Sequence, residues 1–187
     1  EIELLRSRMV LGNAVDNLGL DISATAKYFP LIGAAKARRH GGDGLADPWM
    51  GLDGYAWGGE SITVDTLDVP ARLINAPLQL VAGKSGSYDV YDANGKFLLK
   101  GKVGETASNL TEAGPITMFV PKLKAHPGTE FTVRRSPRLP VVEGLQSSLS
   151  VSEKGKGSGV LSVLLSGADP IRTRDIVNEI SNLYVRQ

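Results

Sequence analysis

The strongest constraint in this sequence is a change of apolar period. Leu4, Leu11, Val15 and Leu18 recur at spacings of seven, four and three, which places them on one face of a helix. Near the other end, Ile176, Val177, Ile180, Leu183 and Tyr184 form a second stripe of the same kind. Between them, from Glu60 onward, the period drops to two, the repeat of a strand with one covered face. Helical ends around an alternating middle predict an α+β fold: a mostly antiparallel β region enclosed by N- and C-terminal helices.

The terminal helices carry local signals of their own. Gly19 suits the left-handed stop of a first helix over Glu1–Leu18. Asp169 is an N-cap and Pro170 takes N1, where its missing N–H costs nothing. No cap precedes Glu1, no Gly or Pro stops the last helix before Gln187, and no Met begins the chain. The sequence is therefore expected to be a piece excised from a longer protein, with both helices continuing beyond it.

The interior is expected to be one domain over residues 1–187. Leu20–Phe29 reads as a short strand. Residues 31–59 read as a Gly-rich loop or insertion, with one helical turn near Ala34–Arg39. A β-rich portion follows over residues 60–140, and residues 169–187 read as the start of a longer helix. Ile62 and Val64 alternate, then the phase slips by one to Leu67 and Val69, which predicts a bulge. Strands are expected at Leu78–Ala82, Ile116–Leu123 and Thr129–Arg135, the last two joined through Pro127-Gly128. Tyr88–Tyr91 and Lys96–Val103 flank Asp92-Ala93-Asn94-Gly95, a strong hairpin signal. Val141–Gln146 reads as a short helical turn. Ser148–Glu153 and Gly159–Ser166 read as a strand pair joined by Lys154-Gly155-Lys156-Gly157-Ser158.

Composition removes several function classes. Twenty-one Lys and Arg face 20 Asp and Glu, a net charge of +1, too balanced for a dedicated nucleic-acid binder. With no Cys, disulfides, thiolate nucleophiles and Cys-ligated metals are excluded. No apolar run approaches the roughly 20 residues of a membrane-spanning helix. The two histidines, His40 and His126, lack metal-ligand spacing and no G-x-S-x-G is present. His126 reads as a solvated turn residue and His40 as part of an exposed basic turn. Gly155-Lys156-Gly157-Ser158-Gly159 looks superficially like a phosphate loop, but it joins two strands instead of opening a helix. No carboxylate pair stands out for glycosidase chemistry. No catalytic residue, metal or cofactor is assigned.

Two sets of residues remain as binding candidates. Trp49, Tyr55 and Trp57 sit in the Gly-rich loop and can stack on sugar rings, or fold back as a satellite core that pins the loop. Arg38 and Arg39, within the cluster Lys36, Arg38, Arg39 and His40, form one basic surface. Arg134, Arg135 and Arg138, beside Pro137 and Pro140, form another. These can contact an acidic polymer or an anionic membrane, or be solvated loops.

A set of co-linear motifs carries a resemblance. They are Glu1-Ile2-Glu3-Leu4-Leu5-Arg6-Ser7-Arg8 leading to Val15-Asp16-Asn17-Leu18, Leu20-Asp21-Ile22 with Tyr28-Phe29-Pro30, and Thr63-Val64-Asp65 with Val69-Pro70. They continue with Pro127-Gly128-Thr129, Phe131-Thr132-Val133, Leu149 to Val151, Glu153-Lys154-Gly155, Gly159-Val160-Leu161 and Ile176-Val177-Asn178. Together they resemble the periplasmic part of bacterial polysaccharide co-polymerases with a Wzz-type chain-length determinant domain, above all the subgroup fused to a cytoplasmic tyrosine autokinase. The resemblance implies a non-catalytic periplasmic domain of an inner-membrane protein, with membrane spans and kinase outside this sequence. It implies an α+β base from which a long helix rises, and a homo-oligomeric ring. It implies work with a polysaccharide polymerase and export machinery to regulate the chain length or export of capsular or exopolysaccharide. The polysaccharide itself is a further candidate partner, and nucleic acid is not. A rival reading is a periplasmic carbohydrate-binding domain using the loop aromatics.

Overall fold

A computed structural model describes residues 2–30, 32–41, 44–155, 159–167 and 169–186. In chain order, α1 (Ile2–Leu5) and α2 (Arg8–Leu18) lead into β1 (Ile22–Ala26) and α3 (Gly33–Arg39). Nine strands follow: β2 (Ser61–Thr63), β3 (Thr66–Asp68), β4 (Leu78–Ala82), β5 (Ser87–Tyr91), β6 (Phe97–Lys102), β7 (Thr106–Thr111), β8 (Gly114–Phe119), β9 (Lys122–Lys124) and β10 (Glu130–Arg135). The chain closes with α4 (Arg138–Ser148), β11 (Leu149–Glu153), β12 (Leu161–Leu165) and α5 (Pro170–Val185). The fold is α+β, and every pairing between these strands is antiparallel. The contacts divide the chain into two compact units, a β unit of Ile22–Ser136 and a helical unit of Glu1–Asp21 with Pro137–Gln187.

The β unit holds a five-stranded sheet in the order β1-β10-β4-β5-β6, a three-stranded sheet β3-β8-β7 and the pair β2-β9. Alternation builds its core directly. Ala26, Phe131, Leu80, Val90 and Leu99 are successive register partners across the five strands. The last four are buried, each contributing about 1.5–3 kcal/mol of apolar burial. Leu67, Ile116 and Met118 of the three-stranded sheet join the same core. The Asn109 amide reaches from β7 to the Leu98 carbonyl of β6 at 2.6 Å, tying the sheets at that edge.

One core position couples sequence to pH. Tyr88 faces Gly101 across β5 and β6, and any Cβ at Gly101 would overlap its ring. The phenol is buried, and its hydroxyl has no partner among the described residues. Burial raises its pKa above the ordinary tyrosine range. The fold thus favours the neutral phenol. Stability is unaffected well below pH ~10 and falls above it, because the unfolded chain ionises first. Tyr88→Phe is expected to shrink that alkaline loss and to be neutral or slightly stabilising near pH 7, where it removes an unpaired hydroxyl. Thermal melts at about pH 8 and about pH 10.5 check this; an identical alkaline loss in both proteins would sink it.

The helical unit packs α2, α4, α5 and the β11–β12 hairpin around Leu5, Leu11, Val15, Val142, Leu145, Leu149 and Ile180. The single helix expected over Glu1–Leu18 is broken at Ser7. That residue leaves helical geometry (φ −65°, ψ 147°) to cap α2, its hydroxyl accepting from the Val10 amide. Gly19 ends α2 with φ 56°, and the Leu20 amide returns to the Val15 carbonyl at 3.0 Å. The Asp169 carboxylate accepts from the Ile171 and Arg172 amides at 2.9 and 3.1 Å, opening α5 as its sequence signal predicts.

Four other expectations change. Val141–Gln146 is the middle of a three-turn helix, because Pro140 lies in the first turn of α4, where its missing N–H is not needed. The phase slip after Val64 is not a bulge but a change of sheet, with β2 pairing β9 and β3 pairing β8. The stretch Ile116–Leu123 breaks in the same way into β8 and β9. β7 was not expected, since of Thr106–Thr111 only Ala107 is buried. Glu1, Leu31, Gln187 and the Lys156-Gly157-Ser158 part of the linker lie outside the described residues.

Candidate functional site

The site is built where β1 runs out. The Lys27 amide continues the β1–β10 ladder onto the Glu130 carbonyl at 2.9 Å, and the Ala56 amide returns to the Lys27 carbonyl at 2.8 Å. Tyr28 and Ala56 then form a short parallel bridge. This brings Tyr28 and Phe29 beside the aromatic stretch of the Gly-rich loop. Gly33 begins α3 directly behind them, and its amide donates to the Phe29 carbonyl at 2.9 Å. A Cβ at Gly33 would press on Phe29 at 3.0 Å, so glycine lets the helix sit this close.

Phe29 is half-buried. It stacks on Trp57 with ring centroids 5.8 Å apart and meets Tyr55 edge-on at 5.2 Å. Trp49 meets Trp57 edge-on at 5.9 Å. Lys36 Nζ lies 5.2 Å from the Trp49 centroid and 5.1 Å from that of Trp57, and Lys27 Nζ lies 5.3 Å from that of Tyr55. Lys27 is also ion-paired to Glu130 at 2.5 Å. Trp57 Nε1 donates to the Leu52 carbonyl at 3.1 Å. Both Glu60 carboxylate oxygens are engaged, accepting from the Trp57 amide at 2.9 Å and the Gly58 amide at 2.7 Å.

The three aromatics named from sequence therefore have unequal surfaces. Trp57 is fully buried, with neighbours on its ring, and anchors the loop; Trp49 remains 44 % exposed and Tyr55 is half-buried. Both histidines clamp the same loop: Nε2 of His40 donates to the Gly44 carbonyl and Nε2 of His126 to the Ala46 carbonyl, each at 3.2 Å. Gly59, with φ 85°, allows the adjacent backbone at Gly44 to pass where a Cβ would collide with it.

The arginines separate. Arg38 and Arg39 are exposed in the last turn of α3, with no ion-pair partner among the described residues. Arg134 and Arg135 are neighbours on β10 and so project to opposite faces. Arg135 turns into the β unit and donates to the Leu67 carbonyl at 3.1 Å, with Asp68 4.0 Å away. Arg138 belongs to the helical unit. Its guanidinium grips Asp16 with two bonds of 2.8 Å, and this raises its pKa further.

Beside Arg38 a groove of about 360 Å³ opens between Tyr28, Ala34, Ala37, Arg38 and Gly59. Neither Tyr28 nor Glu60 is a binding candidate in the sequence, although Tyr28 belongs to the Tyr28-Phe29-Pro30 motif. That motif marks the family and not the exposure of Tyr28, and the role of Glu60 depends on the turn that precedes it. Among the described residues, no cluster of three His, Asp or Glu could hold a metal ion, and no helix is long and apolar enough to cross a membrane.

Residues 22–136 match the family model of the N-terminal domain of tyrosine-protein kinase Wzc. Over its whole length the chain is 44 % identical to EpsB of Ralstonia nicotianae, covering 25 % of that protein. It is 36 % identical to the tyrosine-protein kinase wzc of Salmonella typhi and 30 % identical to the tyrosine-protein kinase etk of Escherichia coli O157:H7, covering 23 % of each. The chain thus spans about a quarter of the length of the curated relatives it matches. Among solved structures, Xanthomonas campestris FlgL aligns with 87 % of this chain and 40 % of its own at a TM-score of 0.27 and 10 % identity, which carries no fold assignment.

Proposed function

Because this chain belongs to the family of the N-terminal domain of tyrosine-protein kinase Wzc, we propose that it is the non-catalytic periplasmic scaffold of an inner-membrane polysaccharide co-polymerase. In this reading it regulates the chain length or export of capsular or exopolysaccharide, and a tyrosine kinase domain lies elsewhere in the parent protein. One observation carries the reading. The family match covers residues 22–136, the same bounds as the β unit, Ile22–Ser136. The part that the family model describes is thus one self-contained packing unit, suited to presenting a surface.

The mechanism is geometric. A ring of such domains sets the space and the contacts offered to a growing polymer, and a polymerase and export proteins meet that ring. Phosphoryl transfer belongs to the remaining three quarters of proteins such as wzc and etk. A segment exchange tests this. In the full-length parent, this chain is replaced by the corresponding segment of Salmonella typhi wzc, and polymer length is read on gels beside autophosphorylation. Polymer length is expected to follow the segment donor while autophosphorylation is unchanged. A length profile that stays with the kinase part would overturn the reading.

A further inference from the structure

We propose that the groove between Tyr28 and Arg38 binds a carboxylate-bearing pyranose unit of a polysaccharide, a proposal that rests on the polysaccharide reading above. Tyr28 is 42 % exposed, and no hydrogen bond or aromatic pair engages its ring or hydroxyl among the described residues. Yet its backbone is held by the bridge to Ala56, and the next residue, Phe29, is half-buried and stacked on Trp57. A large aromatic presented on so rigid a support offers a flat apolar face at little ordering cost, the surface that the C–H face of a pyranose fits.

Arg38 supplies the other half. Ala34, Ala37 and Arg38 are spaced three and four apart, so they share one face of α3, and that face lines the groove. The two alanines leave the floor open to a ring-sized ligand. Lys36 is turned the other way, held over Trp49 and Trp57, which fixes the rotation of the helix. A planar guanidinium with no carboxylate partner among the described residues matches a sugar carboxylate through two parallel hydrogen bonds. Glu60 follows Gly59 at the groove wall, but both its oxygens are occupied by the Trp57 and Gly58 amides. Those two bonds hold the carboxylate against the backbone of its own turn, and no ion pair joins it to Arg38. The groove volume of about 360 Å³ lies within the range of small-ligand sites.

The test is titration of the chain with oligogalacturonate, with a neutral malto-oligosaccharide of equal length and with polyglutamate, read by calorimetry and by amide shifts of α3. Oligogalacturonate is expected to bind more tightly than either control and to shift residues 33–39. Arg38→Gln and Tyr28→Ala are each expected to weaken it roughly tenfold or more, and Tyr28→Phe to retain it. Unchanged circular dichroism melts keep the variants interpretable, since both side chains are exposed. Equal binding of polyglutamate, or binding that survives Tyr28→Ala, would reduce the effect to bulk charge and overturn the proposal. Absence of oligogalacturonate binding would also overturn it. That result would leave the scaffold reading standing, because the segment exchange reads polymer length and not affinity.

Discussion

Trp57→Ala is expected to destabilise the β unit by about 3–5 kcal/mol, the cost of emptying a fully buried indole site. The loss is larger than a cavity alone. Phe29 loses its stacking partner, Trp49 and Lys36 lose the ring they meet, and the Leu52 carbonyl loses its donor. Residues 44–59 are held through this group, so their amide exchange should rise most. Trp49→Ala provides the contrast. That ring is 44 % exposed and meets Trp57 by an edge, so its removal should cost clearly less. Denaturant unfolding with hydrogen exchange measures both. Equal costs for the two tryptophans would mean that Trp57 is not the anchor. The comparison also bears on sugar binding: loosening the loop disturbs Ala56, which holds the Tyr28 backbone.

Ile180→Ala is expected to cost about 2–5 kcal/mol in the helical unit. Ile180 is the buried residue of α5 and packs into the cluster that includes Leu11, Val15 and Leu145. Ile176, Leu183 and Tyr184 of the same stripe pack against that cluster but stay partly exposed. The Asn17 amide bonds Glu179 at 2.8 Å, but that pair is exposed and worth well under 1 kcal/mol. Ile171, on the same helix but 65 % exposed, should tolerate alanine to within about 0.5 kcal/mol. Unfolding of the two variants, with exchange followed across residues 170–185, is the measurement. A similar small loss in both would show that Ile180 is not the anchor of α5.

The local signals were the most legible part of this chain. Asp169-Pro170 opened a helix, Gly19 closed one, and Asp92 to Gly95 turned a hairpin, each decided within a few residues by capping or turn chemistry. The α+β class followed from the two periods, and the family followed from co-linear motifs. The misreadings came where two geometries share one local pattern. A one-residue phase slip describes a bulge and a change of sheet equally well, and only the partners β8 and β9 tell them apart. β7 stayed hidden because a mostly exposed strand needs no apolar alternation.

The candidate site was legible in residue type and not in exposure. Composition placed Trp49, Tyr55 and Trp57 together, and Arg134, Arg135 and Arg138 together. The tertiary structure decided that Trp57 is interior while Trp49 is not, and that Arg135 bonds the Leu67 carbonyl. It also made Tyr28, whose motif says nothing of its exposure, the open aromatic beside Arg38. Periods, caps and turns are set by backbone sterics and neighbouring side chains, so the sequence by itself determined them. Burial and charge pairing depend on residues far apart in the chain, such as Lys27 with Glu130 and Arg138 with Asp16, and only folding brings those together.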